Sequence, residues 1–402
     1  MSDRTAGMLA GVTILDLSLF VAGPFGSMIL ADLGAEVIKI EPIEGDPVRA
    51  NRMGPQLRGE NAQFQSYNRN KKGICLNLKD ARGRELFLEL VKGADVVFDN
   101  FRPGVLARLG IDHASLAPVN PRIVSVSVSA FGQDGPLAKS PGYDIIVQAL
   151  GGGMCLTGDA RSGPAHIPFH LGDTAGGMYA AIAILGAIIE RNRTGAGRAL
   201  DIALLDAQIG LMGDEVTYFH ASGKVPPPHG SGHPLLSAYR AFATADAPLV
   251  VAAVGVEKFW CQFAIAIGRP ELIDDPRFAD NHLRVANRCA LDPLLETVLI
   301  TRTREEWLRI FASADVPAAA VSDIAAALAH PQVQFRQMVA EMELQDGSRA
   351  FVARTPIRGS GQAPHEARAA PTLGEHTRSV LQERLGLDTA RIDALYEQGV
   401  VG

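Results

Sequence analysis

Between residues 12 and 206 the chain alternates short β-branched apolar runs with stretches of helical periodicity. Residues 12–17 read as a buried strand, 25–33 as a helix stopped by Gly34, and 36–41 as a second strand. The pattern repeats, with strands over 73–78, 94–100 and 122–129, the last with period-two alternation. Helices are expected over 80–91, opened by the capping Asp80, and over 104–109. A strand-to-helix passage begins at 201 and runs to 220. Strands separated by helices imply right-handed crossovers and an α/β fold with an open parallel sheet. Ligands bind such sheets beyond the carboxyl ends of the strands. Those ends hold Phe20 to Ala22, Glu41 to Arg49, Asn100 to Arg102, and Phe131-Gly132.

Residues 224–234 break the pattern with six prolines and glycines in close order around His229, marking a domain boundary or a functional loop. The first domain therefore spans 1–224. Beyond it a strand (248–254) and helices (257–267, 281–299, 303–314) describe a smaller α+β domain over 225–330. Helical turns follow Val321. A loose linker occupies 363–370, and 371–377 leads into a final helix. No solenoid-type repeat is present.

Composition narrows the classes of function. A chain of 402 residues, 47% hydrophobic and 20% charged, folds rather than stays disordered. With net charge −6 and no long basic run, nucleic acid is not an expected partner. Cys75, Cys155, Cys261 and Cys289 are scattered, without metal or disulfide spacing, and no H-E-x-x-H motif exists, so no metal site is expected. The N-terminus lacks a signal-peptide pattern, and the longest apolar helix expected, 178–189, is too short to span a bilayer. The expectation is a cytoplasmic protein with no membrane partner.

Chemistry concentrates at His170-Leu171-Gly172-Asp173-Thr174-Ala175-Gly176-Gly177-Met178, after the run Gly151-Gly152-Gly153. A carboxylate stands where a loop meets a helix, among small residues. Asp173 reads either as the helix N-cap or as a nucleophile with oxyanion donors beside it in Ala175, Gly176, Gly177 and Met178. Lys39, Arg49, Lys71, Lys72, Arg102 and Arg108 recur near strand ends and suit a polyphosphate, or are solvated surface charge. The run Tyr67-Asn68-Arg69-Asn70-Lys71-Lys72-Gly73 reads as ligand-binding or as an exposed turn, and Tyr143 as a ligand contact or a half-buried core residue. Neither G-x-G-x-x-G nor a Walker loop is present, which disfavours a nicotinamide oxidoreductase.

Taken together, six runs in order resemble the class III (CaiB/BaiF-like) CoA-transferases. They are Val21-Ala22-Gly23-Pro24 with Leu33 to Pro42, Gly45-Asp46 and Arg49; Asn70 to Leu78; Asp99 to Gly104 with Leu109-Gly110; Gly142-Tyr143-Asp144; Gly172-Asp173; and Gly374 to Thr377. The resemblance implies a large Rossmann-like domain built from both chain ends, with 331–402 as linker and return segment. It implies an interlocked homodimer, and CoA as a substrate carrier with no permanently bound cofactor. It also implies Asp173 as nucleophile and CoA contacts at Val21, Ala22, Arg49, Lys71, Asn100, Phe101, Arg108 and Tyr143. Pro42 departs from the arginine of the formyl-CoA enzymes, a place that Lys39 or Arg49 would have to fill.

The implied reaction carries CoA from an acyl-CoA, succinyl-CoA or similar, to a small carboxylic acid through an aspartyl anhydride and an aspartyl thioester. Residues 233–239 with Asp246 look more like the dicarboxylate enzymes (succinate, itaconate, glutarate, citramalate) than the oxalate enzyme. Arg49, His170 and Arg240 are candidate partners for a second carboxylate, and Gly230 to Gly232 or Gly151 to Gly153 candidate lids. The family's 2-methylacyl-CoA racemases are the alternative. Their histidine falls at Tyr143, and a phenol with an ordinary pKa near ~10 is a poor base at neutral pH. A non-catalytic CoA-binding protein is a third possibility.

Overall fold

The computed structural model describes residues 7–402 except 52–53, 58–59, 160, 254–256, 345 and 360–365. Six strands form the principal sheet: β1 (Thr13–Asp16), β2 (Glu36–Glu41), β3 (Lys72–Cys75), β4 (Val96–Asp99), β5 (Val124–Ser129) and β6 (Ala199–Ala203). Their order is β6-β5-β4-β1-β2-β3 and every pairing is parallel. This is the doubly wound Rossmann order, whose strand sequence reverses between β1 and β4. Successive side chains leave opposite faces of a strand. Ile14, Val37, Val96 and Phe98 accordingly join one buried cluster, and Leu15, Ile38, Ile74 and Val97 another.

Helices cover both faces. The first cluster is closed by α1 (Ala22–Asp32) and the later helix α5 (Leu171–Thr194). The second is closed by α3 (Ala81–Lys92), capped by Asp80, and by the C-terminal α7 (Thr377–Leu385) and α8 (Thr389–Glu397). The C-terminal segment is stitched to edge strand β3. His376 N–H donates to the Gly73 carbonyl at 2.8 Å, and Cys75 N–H to Thr377 Oγ1 at 3.0 Å. Three further helices frame the site: α2 (Ala62–Asn68), α4 (Asp144–Leu150) and α6 (Leu204–Leu211).

The chain divides into two compact units. One comprises 1–153, 167–217 and 333–402; the other comprises 154–166 and 218–332. Residues 154–166 thus belong with the smaller unit rather than with the flanking large one. That unit has an antiparallel sheet, β7 (Tyr239–Phe242), β8 (Leu249–Ala252) and β9 (Ala318–Ala320), over a core containing Trp260, Phe263, Leu295, Trp307 and Phe311. The expected strand over 248–254 ends, and part of the 363–370 linker falls, outside the described residues.

Two expectations change. The helical turns expected after Val321 are present as two short helices, but they give way to an antiparallel hairpin that was not expected, β10 (Val339–Glu343) with β11 (Arg349–Ala353). Alternating burial along β10 and the turn around Asp346-Gly347 explain it. The apolar helix α5 is also longer than expected: its 24 residues suffice, by length and composition, to cross a membrane. Half of its apolar window is buried inside the protein, with Ala180, Ala181, Ile184 and Ala187 against the sheet.

α5 crosses α1 backbone to backbone. A Cβ on Gly177 would lie 2.5 Å from the Ala22 carbonyl oxygen, and one on Gly26 would lie 2.7 Å from the Gly177 carbonyl oxygen. Gly176 is equally confined, by Leu204 and Val128. Gly177→Ala is expected to lower stability by ~1–3 kcal/mol, because two helices must separate to admit one methyl. Urea unfolding with an unchanged midpoint would show that the crossing tolerates a side chain.

Candidate active site

Asp173 lies in the first turn of α5, but it is not the cap; His170 holds that position. The first amides of the helix are satisfied from outside. Asp144, opening α4, accepts the N–H of Gly172 at 2.7 Å and that of Asp173 at 3.2 Å on the same Oδ1. Gly172 permits this approach, since a Cβ there would lie 3.2 Å from that oxygen. The other Asp144 oxygen accepts from Gln148 Nε2 at 2.7 Å, and Gln148 Oε1 accepts the Ile167 N–H at 2.9 Å.

Asp173 and Gly177 are one helical turn apart and share a face. Gly177 abuts Ala22, Gly26 and Phe25, so Asp173 is carried towards the start of α1. Phe25 meets Tyr67 edge to face at 5.7 Å, and Tyr67 feels the Asp173 charge. Burial raises the Tyr67 phenol, and Asp173 adds to this while Arg69 opposes it. The Asp173 carboxylate accepts no hydrogen bond from the described side chains or backbone. Burial, with the Asp144 charge second, pushes its pKa up to about 7. The expected oxyanion donors are corrected here. Ala175, Gly176, Gly177 and Met178 lie inside the helix, where Gly177 serves the crossing with α1 and Gly176 the packing against Leu204 and Val128.

Beside this carboxylate stands the switch point of the sheet. Asn100, just past β4, bridges to the loop after β1: its Oδ1 accepts the Leu19 N–H at 2.8 Å and its Nδ2 donates to the Leu19 carbonyl at 2.7 Å. Phe20 follows with φ +64°, in the left-handed region where a bulky residue is strained, and is half exposed. Val21 and Ala22 are buried at the start of α1. Phe101 is half-buried against the core, while Arg102, Arg108 and Tyr143 are exposed, Tyr143 by 71%.

Arg49 and Lys71, which the resemblance implied as CoA contacts, point inward. Lys71 Nζ spends its three donors on Asp16 Oδ2 (3.0 Å), Asn68 Oδ1 (2.9 Å) and the Pro24 carbonyl (3.2 Å). Burial is the main reason that its pKa falls to about 8. Lys39 is fully buried and donates to the Ser18 carbonyl at 2.8 Å and to Asp46 at 3.1 Å. Arg49 forks onto Glu41 and also bonds Glu60 and the Pro371 carbonyl. Removing it would strand a buried carboxylate, so its role is internal. The run from Tyr67 to Gly73 is likewise no exposed turn, since Asn68, Arg69 and Lys71 are buried. Of the candidates for a second carboxylate, Arg49 is engaged by Glu41 and Glu60, and Arg240 by Glu296 and Asp292. His170 is exposed at the start of α5. Gly230 N–H is tied to the Gly158 carbonyl at 2.6 Å within the smaller unit.

The comparisons with known proteins bear on this arrangement. Residues 9–377 match the family model for CoA-transferase family III. The chain belongs to CoA-transferase family III. It is 38% identical to acetyl-CoA:oxalate CoA-transferase of Acetobacter aceti, over 94% of this chain and 96% of that one. It is 36% identical to succinyl-CoA:glutarate CoA-transferase of Homo sapiens, over 98% and 90%. The crystal structure of a CaiB/BaiF family protein from Brucella suis superposes with TM-score 0.84 at 36% identity, covering 94% of this chain and all of that one. Tyr67 and Asp144 stood in runs marked from the sequence of this family III chain, but neither was connected there with Asp173. Their signal was proximity in space, which spacing along the chain does not carry.

The displaced Asp173 pKa has a consequence for stability. A carboxyl whose folded pKa lies above its unfolded value costs nothing below about pH 4, and the cost grows until the pH passes about 7. Asp173→Asn is therefore expected to raise the melting temperature at pH 8 and leave it nearly unchanged at pH 4. An equal effect at both pH values would contradict the burial of that charge.

Proposed function

We propose that this family III CoA-transferase carries CoA from a short acyl-CoA, with succinyl-CoA the first candidate, to a small dicarboxylic acid. The observation that carries this reading is the lone, half-buried Asp173 carboxylate beside the strand-order reversal. An Asp173 oxygen attacks the thioester carbonyl; the C–S bond breaks, leaving a mixed anhydride and CoA thiolate. The thiolate attacks the aspartyl carbonyl and expels the donor carboxylate, giving an aspartyl-CoA thioester. The acceptor carboxylate attacks that thioester, and the released thiolate then takes the new acyl group. A carboxylate suits the task because its anhydride and its thioester both keep the acyl group activated. Desolvation makes Asp173 more basic and protects the intermediates from water.

The exposed Arg102 and Arg108 follow β4 and supply cations for CoA phosphates; Asn100, Phe101 and the 20–22 backbone line the same edge. The names of the relatives support an acyl-CoA and a short dicarboxylate, and differ on which: oxalate, glutarate, malate or mesaconate. The racemase alternative requires a base where this chain has the exposed Tyr143.

We also propose a homodimer. Ile145, Ile146, Leu150, Met178, Ile182 and Ile189 expose a broad apolar surface on the packed helices α4 and α5, which a second copy would cover. Sedimentation equilibrium is expected to return twice the chain mass; a monomer at micromolar concentration would exclude it. For the chemistry, Asp173→Ala is expected to reduce succinyl-CoA:dicarboxylate transfer at least ~10³-fold. Transfer at near the original rate would remove Asp173 as nucleophile. Exchange of the α-proton of 2-methylacyl-CoA with deuterated solvent, with no acceptor acid present, would favour the racemase.

A further inference from the structure

The N-terminus of a helix ordinarily stabilises a nearby anion, because its first amides point outward unpaired. Around Asp173 that stabilisation is taken up. Asp144 Oδ1 receives the N–H groups of both Gly172 and Asp173, and the Thr174 N–H goes to the His170 carbonyl. Asp144 is itself anchored. Gln148, 2% exposed, donates to Asp144 Oδ2 and receives the Ile167 N–H. Gln208, 1% exposed, donates to the Gln148 carbonyl at 3.3 Å, tying α6 to α4. The segment 167–173 is thus pinned at both ends by one aspartate–glutamine pair.

We propose that Asp144 is a positioning residue for the transfer reaction: it fixes the first turn of α5 and, by occupying the amides there, leaves the Asp173 carboxylate basic and unpaired. The proposal rests on Asp173 being the nucleophile. Among the described residues, other groups also lie near Asp173. Tyr67 comes from α2, with Arg69 behind it bonded to Asp32; His170 precedes it on its own element; and α1 presents Ala22, Phe25 and Gly26, which do not titrate. A negative charge beside a second carboxyl disfavours ionisation of that carboxyl. Greater basicity makes the ionised oxygen the better nucleophile for a thioester.

The test uses the full-length enzyme with succinyl-CoA and glutarate between pH 5 and 9. Asp144→Asn keeps an oxygen for the two amides and loses the charge. Its amide would oppose that of Gln148, so Asp144→Asn with Gln148→Glu restores that contact and moves the charge away from Asp173. In both, the acidic limb of kcat/KM is expected to move down by about one pH unit, with KM for succinyl-CoA within about twofold. Asp144→Ala, which loses the amide contacts as well, is expected to fall about tenfold further in kcat, and Asn to rescue it. Infrared titration of the Asp173 carboxyl, identified by its loss in Asp173→Asn, reads the same shift without turnover. A folded Asn variant whose acidic limb and carboxyl titration both stay in place would overturn the proposal. Transfer surviving in Asp173→Ala would instead overturn the nucleophile, while the infrared arm would still report on Asp144.

Discussion

The close crossing of α1 and α5 is the constraint from which the site follows. Two helices approach until the backbone of one touches the backbone of the other, and this is possible only because Gly26 and Gly177 carry no side chain. α1 begins at the carboxyl end of β1, where the strand order reverses. The crossing therefore brings the first turn of α5, one turn before Gly177, to the place where an open α/β sheet receives its ligand. Asp173 owes its position to glycines that let two helix backbones meet.

Charge is handled in two contrasting ways around that point. Beneath it, Asp16 is fully buried, and burial alone would raise its pKa. Lys71 and Lys39, with hydrogen bonds from Ser18 and Ser27, outweigh burial and hold it below the usual carboxylate range. The same lysines hold the loop after β1, through the Ser18 carbonyl at one end and the Pro24 carbonyl at the other. These are internal pairs whose desolvation is offset by partners, and breaking one would be costly. Among the described residues Asp173 has no such partner, and the like charge of Asp144 is near. An unpaired, desolvated carboxylate is a cost to the fold and the property that a nucleophile needs, and functional sites are where such costs persist.

Asp99 illustrates how position decides between these outcomes. It ends β4 next to the Asn100 bridge, receives hydrogen bonds from Ser127 at 2.6 Å and from the Phe101 N–H at 3.0 Å, and is pushed up to about 6, chiefly by burial. Its contacts shape the turn that presents Asn100 and Phe101, so a carboxylate with a raised pKa here is structural. The difference from Asp173 is geometric: hydrogen bonds to the carboxylate itself in one case, none among the described residues in the other.

The periodicity of the chain determined the alternation of strands and helices, because a strand buried on both faces must be apolar throughout and a crossover helix needs its own stripe. Asp80 as a cap, Gly34 as a stop and the break at 224–234 were equally local, and six short runs carried the family resemblance. What local pattern could not reveal was which charges face inward. Arg49 and Lys71 have the composition of phosphate ligands, and only the folding of Glu41, Glu60, Asp16 and Asn68 around them turns them into internal ties. The same holds for Gly176-Gly177, small residues that suit an oxyanion or a helix crossing equally well until the neighbouring helix is in place. Asp144 met Asp173 across twenty-eight intervening residues, and Tyr67 met it from a different helix altogether. Sequence thus settled the elements and named the carboxylate, since those depend on neighbours along the chain. Tertiary structure decided its partners, its burial and its proton, since desolvation and hydrogen bonding depend on neighbours in space.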